Sequence, residues 1–98
     1  MSEMKIEWDE SKNVLNKRKH GVSFENASTV FSDENALLMH DPDHSNEEDR
    51  FLLLGLSSSL NILVVCHCYR FKDEVIRIIS ARKANSSEQY QYINRWKK

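Results

Sequence analysis

Residues 60–69 read Leu60-Asn61-Ile62-Leu63-Val64-Val65-Cys66-His67-Cys68-Tyr69. Ile62 to Val65 form an unbroken apolar run of strand length, with no polar face to offer to water. Such a run predicts a central strand covered on both sides. The segments around it are also strand-like. Phe51–Leu56 precedes it across the turn Ser57-Ser58-Ser59. Glu74–Ala81 follows, with its alternation interrupted where Ile78 and Ile79 stand side by side. The short links favour antiparallel hairpins over crossovers.

Upstream, Met4–Trp8 alternates weakly and predicts a short first strand. Asp9 can cap a helix over residues 10–19, and Gly21 suits its left-handed end. Val14 and Leu15 are the only strongly apolar residues of that helix, so its core stripe is narrow. Ser23 can cap a second helix reaching Phe31, with Phe24, Ala27, Val30 and Phe31 on one face. Ser32–Asn35 ends it, Ala36–His40 is a short strand, and Asp41–Asp49, with Pro42, is a polar acidic loop. Downstream, Ser86 and Gln89 make an S-x-x-Q capping box. The helix it opens places Tyr90, Ile93 and Trp96 on one face. The order is β-α-α-β-β-β-β-α. It predicts an α+β fold: a mainly antiparallel sheet of four or five strands, the longest near its centre, with helices gathered on one face.

At 98 residues the chain is read as one domain, residues 1–98. A core this small leaves room for a partner to add stability. No apolar run approaches the ~20 residues that span a bilayer. The opening MSEMKIEWDE lacks an apolar signal core, so a cytoplasmic location is expected. Cys66 and Cys68 point the same way on a strand, with Cα atoms roughly 6.5–7 Å apart, the edge of disulfide reach. Reduced, buried thiols are expected. The formal charge of −1 hides an asymmetry. Residues 1–65 carry six Lys/Arg and twelve Asp/Glu, giving −6, and residues 66–98 carry eight and three, giving +5. The basic third suits a phosphate backbone, although the two halves can equally pack on each other.

The stretch Lys19-His20-Gly21-Val22-Ser23-Phe24-Glu25, with Trp8-Asp9 before it and Ala27, Val30, Phe31 and Asp33 after it, resembles the N-terminal signature of the BrnT family. Glu48 and Arg50, the strand ending at Gly55, Leu63-Val64-Val65, Tyr69-Arg70, Ile76-Arg77-Ile78-Ile79-Ser80-Ala81-Arg82-Lys83-Ala84, Glu88 and Tyr90 continue the pattern. The resemblance covers about residues 6–92. It departs at Asn26, where the family often has an acid, which weakens a capping box at Ser23. The resemblance implies a small RelE-like fold and a toxin that halts translation as an endoribonuclease. It also implies a BrnA-type antitoxin, a DNA-binding protein that dimerises, and hence a 2:2 complex. The antitoxin is expected to cover the face bearing Arg77 and to reach the Tyr90–Trp96 helix.

Metal-free RNA cleavage needs a group that prepares the 2′-hydroxyl, cations for the phosphorane charge, and a donor for the leaving 5′-oxygen. Arginine suits the second task and histidine the first and third. His20, Arg50, Arg70, Arg77 and Arg82 are the candidate catalytic residues, and Lys19, His67, Tyr69 and Lys83 the candidate substrate contacts. Arg77 sits between Ile76 and Ile78; if those are core, it faces the open side of the sheet. His67, on a strand face with Val65 and Tyr69, is expected on the same open surface. Structural roles compete with each assignment. Arg77 can pair with Asp73 or Glu74, Arg50 with Glu47 or Asp49, and His20 can close the first helix. His40 and His44 read as solvated. Cys66-His67-Cys68 is a weak zinc pattern without a second cysteine pair. No carboxylate cluster or Gly-rich phosphate loop is evident, and no cofactor or metal is expected. Two other readings remain open at this stage: a non-catalytic RNA-binding module and a pure protein-interaction module.

Overall fold

The computed structural model describes residues 4–41 and 49–95. Its elements are β1 (Lys5–Glu7), α1 (Glu10–His20), α2 (Phe24–Ser28) with a 3-10 turn (Thr29–Ser32), β2 (Leu37–His40), β3 (Phe51–Leu56), β4 (Ile62–Arg70), β5 (Val75–Lys83) and α3 (Ser86–Ile93). Much of the Asp41–Asp49 loop, with His44, Glu47 and Glu48, lies outside the described residues, as does Trp96. The strands form one sheet in the order β1-β5-β4-β3-β2. The expected α+β architecture is present, with β4 at its centre. Three pairings are antiparallel, and β1 lies parallel to β5.

β4 earns its place through two-sided burial. Leu63 and Val65 join Leu53, Ile78 and Ala81 on one face, where Val22, Phe24, Ala27 and Val30 close over them. Val64 joins Leu54, Ala84 and Tyr92 on the other. The helices therefore do not gather on one face. α2 packs on the first, whereas α3 docks on the second through Tyr92, leaving Tyr90 and Ile93 exposed. Burial and the Asp33 carboxylate, which accepts the Tyr92 hydroxyl at 2.5 Å, push the Tyr92 phenol up to about 12. The capping box of α3 starts one residue earlier than the sequence suggests. Asn85 Oδ1 accepts the Glu88 N–H at 2.8 Å, and Glu88 Oε1 accepts the Asn85 N–H at 2.9 Å. Glu88 completes the reciprocal pair with its charge near the helix N-terminus, where an anion is favoured.

α1 has the ends its sequence predicts. Asp9 Oδ1 accepts the Ser11 N–H at 2.9 Å, and Gly21 adopts φ 71°. Its docking is polar, not apolar: Val14 and Leu15 are exposed, and Asn13 and Asn16 are buried. Beyond Arg77 the edge of β5 has no strand partner in β1. There Asn16 Nδ2 donates to the carbonyls of Ala81 (2.8 Å) and Val22 (2.9 Å), and Asn16 Oδ1 accepts the Ala81 N–H at 3.1 Å. One amide side chain thus does what an adjacent strand would do for Ala81. Asn13 Oδ1 accepts the Phe24 N–H at 2.8 Å, fixing the entry to α2. α2 is capped by Ser23, which accepts the Asn26 N–H at 3.0 Å, and it tightens to 3-10 geometry at Thr29 instead of continuing to Phe31.

One irregularity sets the geometry of the site. Cys66 opposes Ser80 and His67 opposes Ile78, so Ile79 is an extra residue in β5. This bulge accounts for the adjacent isoleucines that interrupt the sequence alternation.

Candidate functional site

Pairing register assigns each strand residue to a face, because side chains alternate. Arg77 opposes Cys68, Ser80 opposes Cys66 and Arg82 opposes Val64. Those partners are spaced by two on β4, so Arg77, Ser80 and Arg82 stand on one face, the one carrying α3. Ile76 and Ile78 are buried on the other, as Arg77's expected orientation requires. Arg70 shares the arginine face by its place on β4, but lies at the far end, its guanidinium 5.5 Å from the Phe71 ring centre. Arg50 precedes β3, and its charge acts on the Cys66 thiol, which also touches Asp41 Oδ2 at 3.9 Å. Both cysteines are unbridged and buried, and burial pushes the Cys66 thiol up.

The two central arginines are held by carboxylates. Arg77 Nη1 donates to Glu7 Oε2 at 2.7 Å, across the β1–β5 pair and not to Asp73 or Glu74. Arg82 grips Glu88 through two parallel bonds of 2.7 and 2.8 Å, and reaches the Lys83 carbonyl at 3.4 Å. The Glu88 hydrogen bonds hold the Arg82 guanidinium's proton above its ordinary range, and the same bonds lower Glu88. A guanidinium has five N–H donors. These contacts orient the two side chains and leave donors on each for a phosphate.

His20 and Lys19 meet the bulge from the other side. A cavity of about 210 Å³ lies between α1 and β5, lined among the described residues by Lys12, Leu15, Asn16, Lys19, His20, Ile79 and Ser80. Its charged lining is cationic. Ile79 and Ser80 lie on β5 between Arg77 and Arg82, so the bulge joins the helix cations to the arginine face. Lys12 and Ser80 were not singled out from the sequence. Lys12 precedes Lys19 by seven residues, two turns of one helix face, a spacing that could have found it; nothing local marks Ser80.

His67, Tyr69 and Lys83 do not join this group. His67 opposes Ile78 and Lys83 opposes Leu63, placing both on the opposite face. The expectation of His67 on Arg77's open surface is therefore corrected: the imidazole is 0% exposed. It contacts the Val65 carbonyl at 3.1 Å and the Tyr69 hydroxyl at 3.3 Å, with Phe31 edge-on at 4.8 Å. Burial lowers its pKa. Tyr69 is half-buried beside it.

The family model for BrnT, a ribonuclease toxin of type II toxin-antitoxin systems, matches residues 8–88. The chain belongs to this family. The crystal structure of the Brucella abortus ribonuclease toxin BrnT is similar to it, with a TM-score of 0.64 and 28% identity over 86% of this chain and 100% of that one. No curated protein sequence matches. The protein is thus a ribonuclease toxin of a type II toxin-antitoxin system, a class that works with an antitoxin. Among its described residues no helix is long and apolar enough to cross a membrane.

Proposed function

We propose that residues 1–98 act as one toxin domain, a metal-independent endoribonuclease whose cleavage site is the β5 bulge and its cations. The observation that supports this reading most is the register that places Arg77, Ser80 and Arg82 on one face, next to the cavity holding Lys12, Lys19 and His20. Arg77 and Arg82 grip the scissile phosphate and stabilise charge on the phosphorane, with Arg50 adding to the field from the Cys66 side. Lys12 and Lys19 bind a flanking phosphate. His20 takes the 2′-hydroxyl proton as that oxygen attacks phosphorus and returns it to the departing 5′-oxygen. The P–O5′ bond breaks and a 2′,3′-cyclic phosphate forms. Arg70, at the strand end, contacts the RNA farther along.

The antitoxin in this reading is of the BrnA type, dimeric and DNA-binding, giving a 2:2 complex. It covers the arginine face and the exposed Tyr90 and Ile93 of α3. Size measurement of the co-purified pair gives the stoichiometry. The chemistry is tested by incubating the purified toxin with total RNA in excess EDTA and analysing the new ends. Cleavage with cyclic-phosphate ends is expected. RNA retained in a gel shift but left intact would instead select a non-catalytic RNA-binding module.

A further inference from the structure

The opposite side of the sheet carries a second cavity of contrary charge. It measures about 660 Å³ and is lined, among the described residues, by Met4, Leu38, Asp49, Phe51, Tyr69 and Asp73. Phe51 and Tyr69 lie on the His67 face of β3 and β4, away from Arg77 and Arg82. Their rings meet at 5.3 Å and 63°, a corner of two aromatic surfaces. Asp49 and Asp73 supply its charge, and the described lining holds no cation. Asp49 approaches His40 Nε2 only at 3.6 Å, beyond hydrogen-bond length. Asp73 ends a turn in which Phe71, Lys72 and Asp73 all have positive φ (53°, 57° and 66°). Leu38, in the lining, is exposed and adds an apolar edge.

Two carboxylates repel RNA phosphates, so this cavity is a poor continuation of the cleavage site. Aromatic rings beside carboxylates are the environment a guanidinium prefers. It is flat, stacks on rings, and donates pairs of hydrogen bonds to carboxylates. A lysine ammonium has neither the plane nor the fork. A type II toxin has one obligatory protein partner. We propose that this cavity receives an arginine side chain of the antitoxin, a second anchor on the sheet face opposite the one that its body covers, reached by a segment that wraps the sheet edge. The inference rests on the family's need for an antitoxin and not on the cleavage chemistry.

The test uses the full-length toxin carrying Asp49→Asn, Asp73→Asn or both. Asn tolerates positive φ, so position 73 keeps its backbone, and Asp49 is exposed. Binding to the purified cognate antitoxin is measured by calorimetry at two salt concentrations, and growth arrest is measured without antitoxin. In the double variant the affinity should fall by about tenfold or more and depend less on salt, with growth arrest unchanged. Unchanged affinity would overturn the proposal. Weaker RNA binding with unchanged antitoxin affinity would also overturn it, assigning the cavity to an unpaired base. An NMR titration probes the ligand class. N-acetylarginine amide should shift the Phe51, Tyr69 and Asp73 amides at lower concentration than N-acetyllysine amide, and equal shifts would remove the guanidinium assignment. A wild-type toxin that binds antitoxin yet leaves RNA intact would sink the cleavage reading alone.

Discussion

Arg77 and Arg82 are five residues apart on one strand and yet stand on the same face of the sheet. In a regular strand an odd spacing separates two side chains to opposite faces. Here β5 takes in Ile79 as an extra residue, and the partners of the two arginines, Cys68 and Val64, are four apart. The bulge keeps Ile78 and Ala81 together in the core on one side while bringing both guanidinium groups to the other. Bulges recur where a sheet must re-aim a side chain.

The polar docking of α1 predicts an unusual mutational pattern. Asn16→Ala leaves the Ala81 N–H and the Ala81 and Val22 carbonyls without their partner, and should cost about 2–4 kcal/mol. Val14→Lys or Leu15→Lys, at exposed apolar positions, should cost under about 0.5 kcal/mol. Urea unfolding of the three variants checks this. A reversed ranking would mean that the helix docks through its apolar residues.

Buried His67 makes stability depend on pH. Its folded-state pKa is lowered by burial below the ordinary histidine value of 6.5, which holds for the unfolded chain. Between those two values the unfolded chain binds more protons, so the contribution is present above about pH 6.5 and is lost as pH falls below it. Urea midpoints should drop between pH 7.5 and 5.5. His67→Phe, which keeps the aromatic packing, should flatten that drop. An equally steep drop in the variant would assign it to other groups.

Gly55 is required by close approach. A Cβ there would meet Val30 Cγ1 at 2.8 Å and Ala36 Cβ at 2.9 Å, with Asp33 Oδ2 at 3.1 Å. Gly55→Ala should therefore destabilise by about 1–3 kcal/mol, through overpacking between β3 and the 3-10 turn. A melting temperature equal to wild type would show that the turn can move aside freely.

Much of the fold was legible because local signals and burial agreed. Asp9, Gly21 and Ser23 are residue types favoured at helix ends and stand where the local pattern starts or stops, and Ile62–Val65 has no polar face to expose. The misread features are those decided across distance. Asn16 looks like a surface residue until the bare edge of β5 lies beside it. Tyr92 faces the core only because α3 crosses to the second sheet face. The four arginines were legible as phosphate-binding types, whereas the shared face of Arg77 and Arg82 depended on one extra residue at Ile79, which inverts the alternation. His67 was misplaced because the open side of the sheet cannot be identified from one strand.

The central claim is that Arg77 and Arg82 act together on RNA, and single-turnover cleavage by purified wild type, Arg77→Ala, Arg82→Ala and the double variant tests it most directly, with a melting curve for each. Each single substitution should slow cleavage by about 10²-fold or more. Each lost partner, Glu7 or Glu88, is partly exposed, so the stability cost should stay within about 1 kcal/mol. A folded double variant that cleaves RNA at the wild-type rate would contradict the account.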